Sequence, residues 1–140
     1  MFDSEFLEIE IIWSDEDLLE ITTRASNGRY SRIVQTYTQD TYLQKFADNL
    51  IGFPKKIADE VLFESDYGMD DSFLTLFFHC NDGVGHTSVK ISMKEESSNP
   101  NREDNKASFE LDCNLQQIEF LSRQISKMAK NRKGIAKLIK

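Results

Sequence analysis

His79 and His86 are the only histidines in the chain, and they flank an Asp82-Gly83 turn signal within Ser72–Lys94, SFLTLFFHCNDGVGHTSVKISMK. A two-residue Asp-Gly turn fixes the register of the strands on either side of it. In that register His79 pairs with His86, Phe78 with Thr87, Leu76 with Val89 and Leu74 with Ile91. Directly opposed residues hold their β-carbons about 5 Å apart, so two imidazoles could share a metal ion. Asn81 or Asp82 could add an oxygen. Cys80 cannot join, because neighbours on a strand point to opposite faces. Two imidazoles fall short of the four ligands of a structural zinc. The pair therefore reads either as a metal site on His79 and His86 or as two half-exposed strand residues beside a turn.

Other reactive constellations do not form. Gly83-Val84-Gly85 resembles a fragment of a phosphate loop, but it opens a strand and not a helix, so no helix N-terminus awaits a phosphate. There is no nucleophile elbow, and the strand serines alternate with lysines on a face read as solvated. Asp15-Glu16-Asp17 and Asp70-Asp71 fall in loops, without the burial that separates an acid from a base. No catalytic residue and no cofactor are assigned. The outward aromatics are the notable feature. Phe73 and Phe77 lie on the face opposite Leu74, Leu76 and Phe78. Either Phe53, Tyr67 or Met69 from the preceding connection covers them, or Phe73, Phe77 and Tyr67 form a partner-binding patch. Phe73, at the strand start, is expected to be covered, and Phe77 to be exposed or self-associating.

The elements that must position these residues follow from period and punctuation. Phe6–Trp13 alternates, with Leu7, Ile9, Ile11 and Trp13 inward and Glu8 and Glu10 outward. Leu18–Ala25 and Arg29–Tyr37 flank Asn27-Gly28, a second hairpin signal that pairs Ile21 with Val34 and Leu19 with Thr36. Joining the first two strands so that Ile11 meets Ile21 requires a five-residue loop or a bulge. Thr38–Gly52 reads as a helix with Leu43, Phe46, Ala47 and Leu50 at helical spacing, capped by Thr38 or Asp40 and stopped at Gly52. Val61–Glu64 is a short strand. Glu95–Ala107 has no large apolar residue and is expected to be a mobile loop. Ser108–Cys113 resumes alternation, and Asn114 with Gln117 forms a capping box before a helix striped by Leu115, Ile118, Leu121, Ile125 and Met128. The expected class is α+β, an antiparallel sheet of six or seven strands in the order βββα-β(ββ)βα, packed by two amphipathic helices.

The 140 residues fit one domain, expected over 1–130, followed by a frayed basic tail at 131–140. The net charge of −7 divides sharply: 1–122 carry −14, and 123–140 carry +7 with no acid. An acidic body disfavours nucleic acid except through that tail. No apolar run approaches the roughly 20 residues of a membrane span. The acidic start MFDSEFLEIE has no signal-peptide character. Cys80 and Cys113 fall on inward strand positions, which suits a reducing cytoplasm. A Cys80–Cys113 disulfide would require adjacent strands.

Gly52–Ser65, GFPKKIADEVLFES, followed by Phe73–Met93, is similar to small uncharacterised bacterial proteins. These carry a Gly-Phe-Pro segment, an aromatic-x-Cys strand end and then Asp-x-x-Gly-His, matched here by Phe78-His79-Cys80 and Asp82–His86. The resemblance implies a bacterial cytoplasmic domain and no particular activity. Members often sit beside toxin or phage-related genes, which by analogy suggests an immunity-type inhibitor. The expected function is a non-enzymatic domain that binds a protein partner or itself; the alternative is a metal-binding domain or metal-assisted enzyme using His79 and His86.

Overall fold

Ten elements follow in order in the computed structural model, which describes residues 4–65, 72–83 and 86–139. They are β1 (Glu5–Ser14), β2 (Leu19–Asn27), β3 (Ser31–Thr38), α1 (Asp40–Leu50), β4 (Val61–Glu64), β5 (Phe73–Cys80), β6 (Thr87–Glu95), β7 (Asn105–Cys113), α2 (Leu115–Asn131) and β8 (Gly134–Ile139). The class is α+β with antiparallel strands. The expected single sheet of six or seven strands is corrected to two four-stranded sheets, ordered β8-β1-β2-β3 and β4-β5-β6-β7. Strand counting from turn signals could not find this split, because β3 and β4 are separated by a helix and lie in different sheets.

The expected frayed tail at 131–140 is also corrected. Residues 134–139 form β8, paired with β1 so that Leu138 lies opposite Leu7 and Ala136 opposite Ile9. Ala136 and Leu138 are buried with the rest of the core. The outer edge of β8 is covered by α2. Gln124 donates to the Lys137 carbonyl (2.8 Å) and accepts from the Lys137 amide (3.0 Å), and Gln117 donates to the Ile139 carbonyl (2.8 Å). Covering an edge in this way removes a row of unpaired backbone groups that would invite another strand.

The inward faces of both sheets and the apolar stripes of both helices form one core. The helices pack on each other, and Ser122 Oγ donates to the Ala47 carbonyl at 2.8 Å. That bond satisfies a hydroxyl which burial would otherwise strand. α2 starts at the capping box expected: Asn114 Oδ1 accepts from the Gln117 amide (2.9 Å) and Gln117 Oε1 from the Asn114 amide (2.8 Å). α1 instead has Gln39 at its N-cap, with no side-chain cap. β7 begins at Asn105, opposite Glu95, so the expected loop is shorter than its polar composition implied. Its ends are held by Asp104, which accepts from the Ser97 amide (2.9 Å) and pairs with Lys94 (3.5 Å).

Both strong hairpins turn one residue later than their dipeptides suggest. Asn27 N–H bonds the Tyr30 carbonyl (3.0 Å), which centres the turn on Gly28-Arg29, and Gly28 takes a φ of 91°. Ile21 therefore pairs with Thr36 and not Val34, and Leu19 with Thr38. Glycine at the first central position with positive φ is the demand of a II′ turn. In the other hairpin Asn81 N–H bonds the His86 carbonyl (2.7 Å), so Phe78 pairs with Val89, Leu76 with Ile91 and Leu74 with Met93. A slip of two leaves every side chain on its expected face.

Candidate functional site

The slip decides the histidine question. His79 lies opposite Ser88, and His86 sits beyond the ladder beside Asp82. The expected His79–His86 pairing is corrected, and with it the shared-metal geometry loses its premise. The local cause is Asp82, which folds onto His86 and does not occupy a two-residue turn: Oδ2 is 2.6 Å from Nδ1, and Oδ1 accepts the His86 amide at 3.3 Å. The Asp82 hydrogen bond, its charge and then the charge of Asp112 raise the His86 pKa above its usual value. His79 is engaged elsewhere, with Nε2 2.6 Å from Glu110 Oε1. Among the described residues, no three His, Cys, Asp or Glu side chains come together as metal ligands.

One row across the second sheet reads His79, Ser88, Asp112. These are the residue types of a hydrolytic triad, but not its connections. Ser88 Oγ donates to Asp112 Oδ1 (2.8 Å) and accepts from the Asn81 amide group. Ser88 is only 1% exposed, contrary to the solvated serines expected. Ser88 gives its proton to the Asp112 carboxylate and His79 is bound to Glu110, so the histidine does not stand between serine and carboxylate as a triad requires. The row is a satisfied polar network that ties β5, β6 and β7 together. Cys80 and Cys113 also share a row, through Thr87 between them. Two strand spacings put their α-carbons about 10 Å apart, too far for a disulfide, and the two are not bridged to each other.

The outward aromatics lie where the alternation placed them. Phe73 and Phe77 are half-buried on β5, and the Phe77 ring stacks on His79 with centroids 5.3 Å apart. Tyr67 and Met69 lie outside the described residues. Phe53 does not cover this face. It is buried on the inward side, its ring 6.5 Å from Phe78. What the sequence missed is Leu62. It lies directly opposite Phe77 and is 50% exposed. The alternation of Val61–Glu64 carries that signal, since Val61 and Phe63 face in. Around this apolar centre, Lys90, Ser108, Glu110, Asp112 and Glu64 are exposed. Neither helix packs over the face.

Trp13 is a further correction. It was expected inward with Leu7, Ile9 and Ile11, but the register of β1 on β2 shifts between Ile11 and Trp13. Ile11 still meets Ile21, while Ile12 and Trp13 are both exposed. The need for a bulge was legible in the sequence, but its position was not.

Comparison of the chain with known protein families, curated proteins and solved structures gives no match. The function is therefore argued from the sites alone.

Proposed function

We propose that this chain is a protein-binding domain and that the outward face of the second sheet, centred on Phe77 and Leu62, receives a folded protein partner. The carrying observation is that these two large side chains are cross-strand neighbours on a face that neither helix packs over. Strands of 4, 8, 9 and 9 residues, spaced about 4.8 Å and rising about 3.3 Å per residue, present roughly 500 Å². With adjoining loops, that approaches the ~800 Å² per partner of a standard interface. The charges on the face are mixed: Lys90 stands opposite Glu110, with Lys94 and Lys106 towards one end and Asp112 at the other. Mixed signs around an apolar centre suit a protein surface, whereas a polyanion or an anionic bilayer calls for one sign. An immunity-type inhibitor acting in the cytoplasm is the specific form of this proposal, and it accords with Cys80 and Cys113 not being bridged.

A native-lysate pull-down at micromolar bait tests it. Wild-type chain should retain a protein that the Phe77→Asp/Leu62→Asp variant does not. Equal recovery by both baits would refute the face. Recovery of nothing, with a wild-type monomer in sedimentation, would refute the function.

A further inference from the structure

The exposed apolar corner of the first sheet is built by the β1 bulge. We infer that this corner, formed by Ile12, Trp13 and Ile135, docks a cationic, arginine-bearing segment of a protein partner. These side chains are 43%, 49% and 39% exposed, respectively. Ile135 stands opposite Glu10, one step from the bulge. Bulges re-aim side chains, and without this one the alternation of β1 would carry Trp13 inward.

Lys133 and Lys137 flank the corner on its β8 side, and its β2 side is acidic, so the acids of that side select the occupant. Glu20 lies directly opposite Trp13, and the exposed Asp15, Glu16 and Asp17 follow in the β1–β2 turn. Glu10 is already shared with Arg24 at 3.4 Å. Among the described residues Glu16, Asp17 and Glu20 have no cation within 4 Å, so their field is available to a partner. The turn is held in advance. Asp15 Oδ1 accepts from the Asp17 and Leu18 amides (2.8 and 2.7 Å), and Arg132 donates to the Asp15 carbonyl while pairing with Asp40 at 2.5 Å. A guanidinium stacks on an indole face and bonds carboxylates with its edge, which suits arginine better than lysine. Tryptophan is enriched, with tyrosine and arginine, among the residues that anchor interfaces. This surface is on the other sheet from Phe77 and does not depend on it.

Trp13 is the only tryptophan in the chain, so its emission reports on this corner alone. Titration with a short peptide of alternating arginine and leucine should change that emission saturably, and the glutamate–leucine counterpart should not. By fluorescence polarisation of labelled peptide, the Glu16→Gln/Asp17→Asn/Glu20→Gln variant should bind about tenfold more weakly, and salt should weaken the wild type. Trp13→Ala should abolish binding, and Tyr30→Ala, in the β2–β3 turn at the other end of the sheet, should behave as wild type. An unchanged emission, an equal response to both peptides or indifference to the three neutralised acids would overturn the inference. An emission change on concentrating the protein alone would assign the corner to a second copy and overturn it as well.

Discussion

Replacing Phe77 by alanine should cost the fold far less than replacing its neighbour Phe78, although the two side chains are adjacent on one strand. Phe78 is fully buried, its ring 5.9 Å from that of Phe46 and 6.5 Å from that of Phe53. Truncating such a ring removes its transfer energy and leaves a cavity, at a cost of about 3–5 kcal/mol. Phe77 is half-buried on the other face, beside Leu62 and Lys90. No cavity remains there, and what is lost is about half the stabilisation of a fully buried side chain, ~1 kcal/mol. In urea, with a slope of about 2 kcal/mol per M, the midpoints should fall by about 0.5 M and about 2 M respectively. If Phe78→Ala does not fold, Phe78→Leu should still lower the midpoint. A Phe77→Ala loss equal to that of Phe78→Ala would mean that the chain itself covers the face, and the proposed binding surface would not exist.

Three smaller perturbations test other parts of the structure. Thr36 is buried opposite Ile21, and its hydroxyl finds no partner among the described residues. Thr36→Val should therefore stabilise the fold by about 1 kcal/mol in denaturant melts, and a loss would show that the hydroxyl is satisfied. The His86 pKa, followed by NMR, should lie above 6.5, and Asp82→Asn should lower it. Because the folded value is raised, the pair's stabilisation is complete below the unfolded value and fades as pH rises through the folded one. Asn114→Ala removes the acceptor for the Gln117 amide and should cost about 1 kcal/mol in thermal or urea melts, whereas an unchanged midpoint would show that the cap does not matter to the fold.

What could be read from the sequence was what is local and periodic. β4 falls at Val61–Glu64 as read, and the Asn114–Gln117 box starts α2 where expected. The inward face of β5 and β6 was also legible, because side-chain alternation survives a slip of two. That same property hid the register. Asp82 had two uses, as a turn residue or as an anchor for His86, and both give the same buried set. Trp13 was lost to the opposite sensitivity, since a bulge of one residue reverses every face beyond it. β8 was lost to distance. IAKLIK alternates correctly, but its partner β1 lies at the other end of the chain, with no turn between them to announce the pairing.

The sheet orders contain a relationship that bears on Phe77. β4-β5-β6-β7 followed by α2 is a four-stranded antiparallel meander and a helix, contiguous in the chain. β8-β1-β2-β3 followed by α1 has the same order, with its first strand supplied from the C-terminus. The chain thus holds two equivalent ββββα units, one of them circularly permuted, and β1 occupies in the first the place that β5 occupies in the second. The two outward faces differ at these equivalent strands. The central outward positions of β1 are Glu8 and Glu10, both paired with Arg24 of β2, at 3.2 and 3.4 Å. On β5 the central outward positions are Thr75 and Phe77, with Leu62 beside the ring. One unit therefore folds with charges at the centre of its outward face, so the architecture itself does not demand an aromatic there. A half-exposed phenylalanine and an exposed leucine, in a place where the same chain elsewhere uses glutamates, are thus not required by the fold, and that difference is what the proposed binding face is argued from.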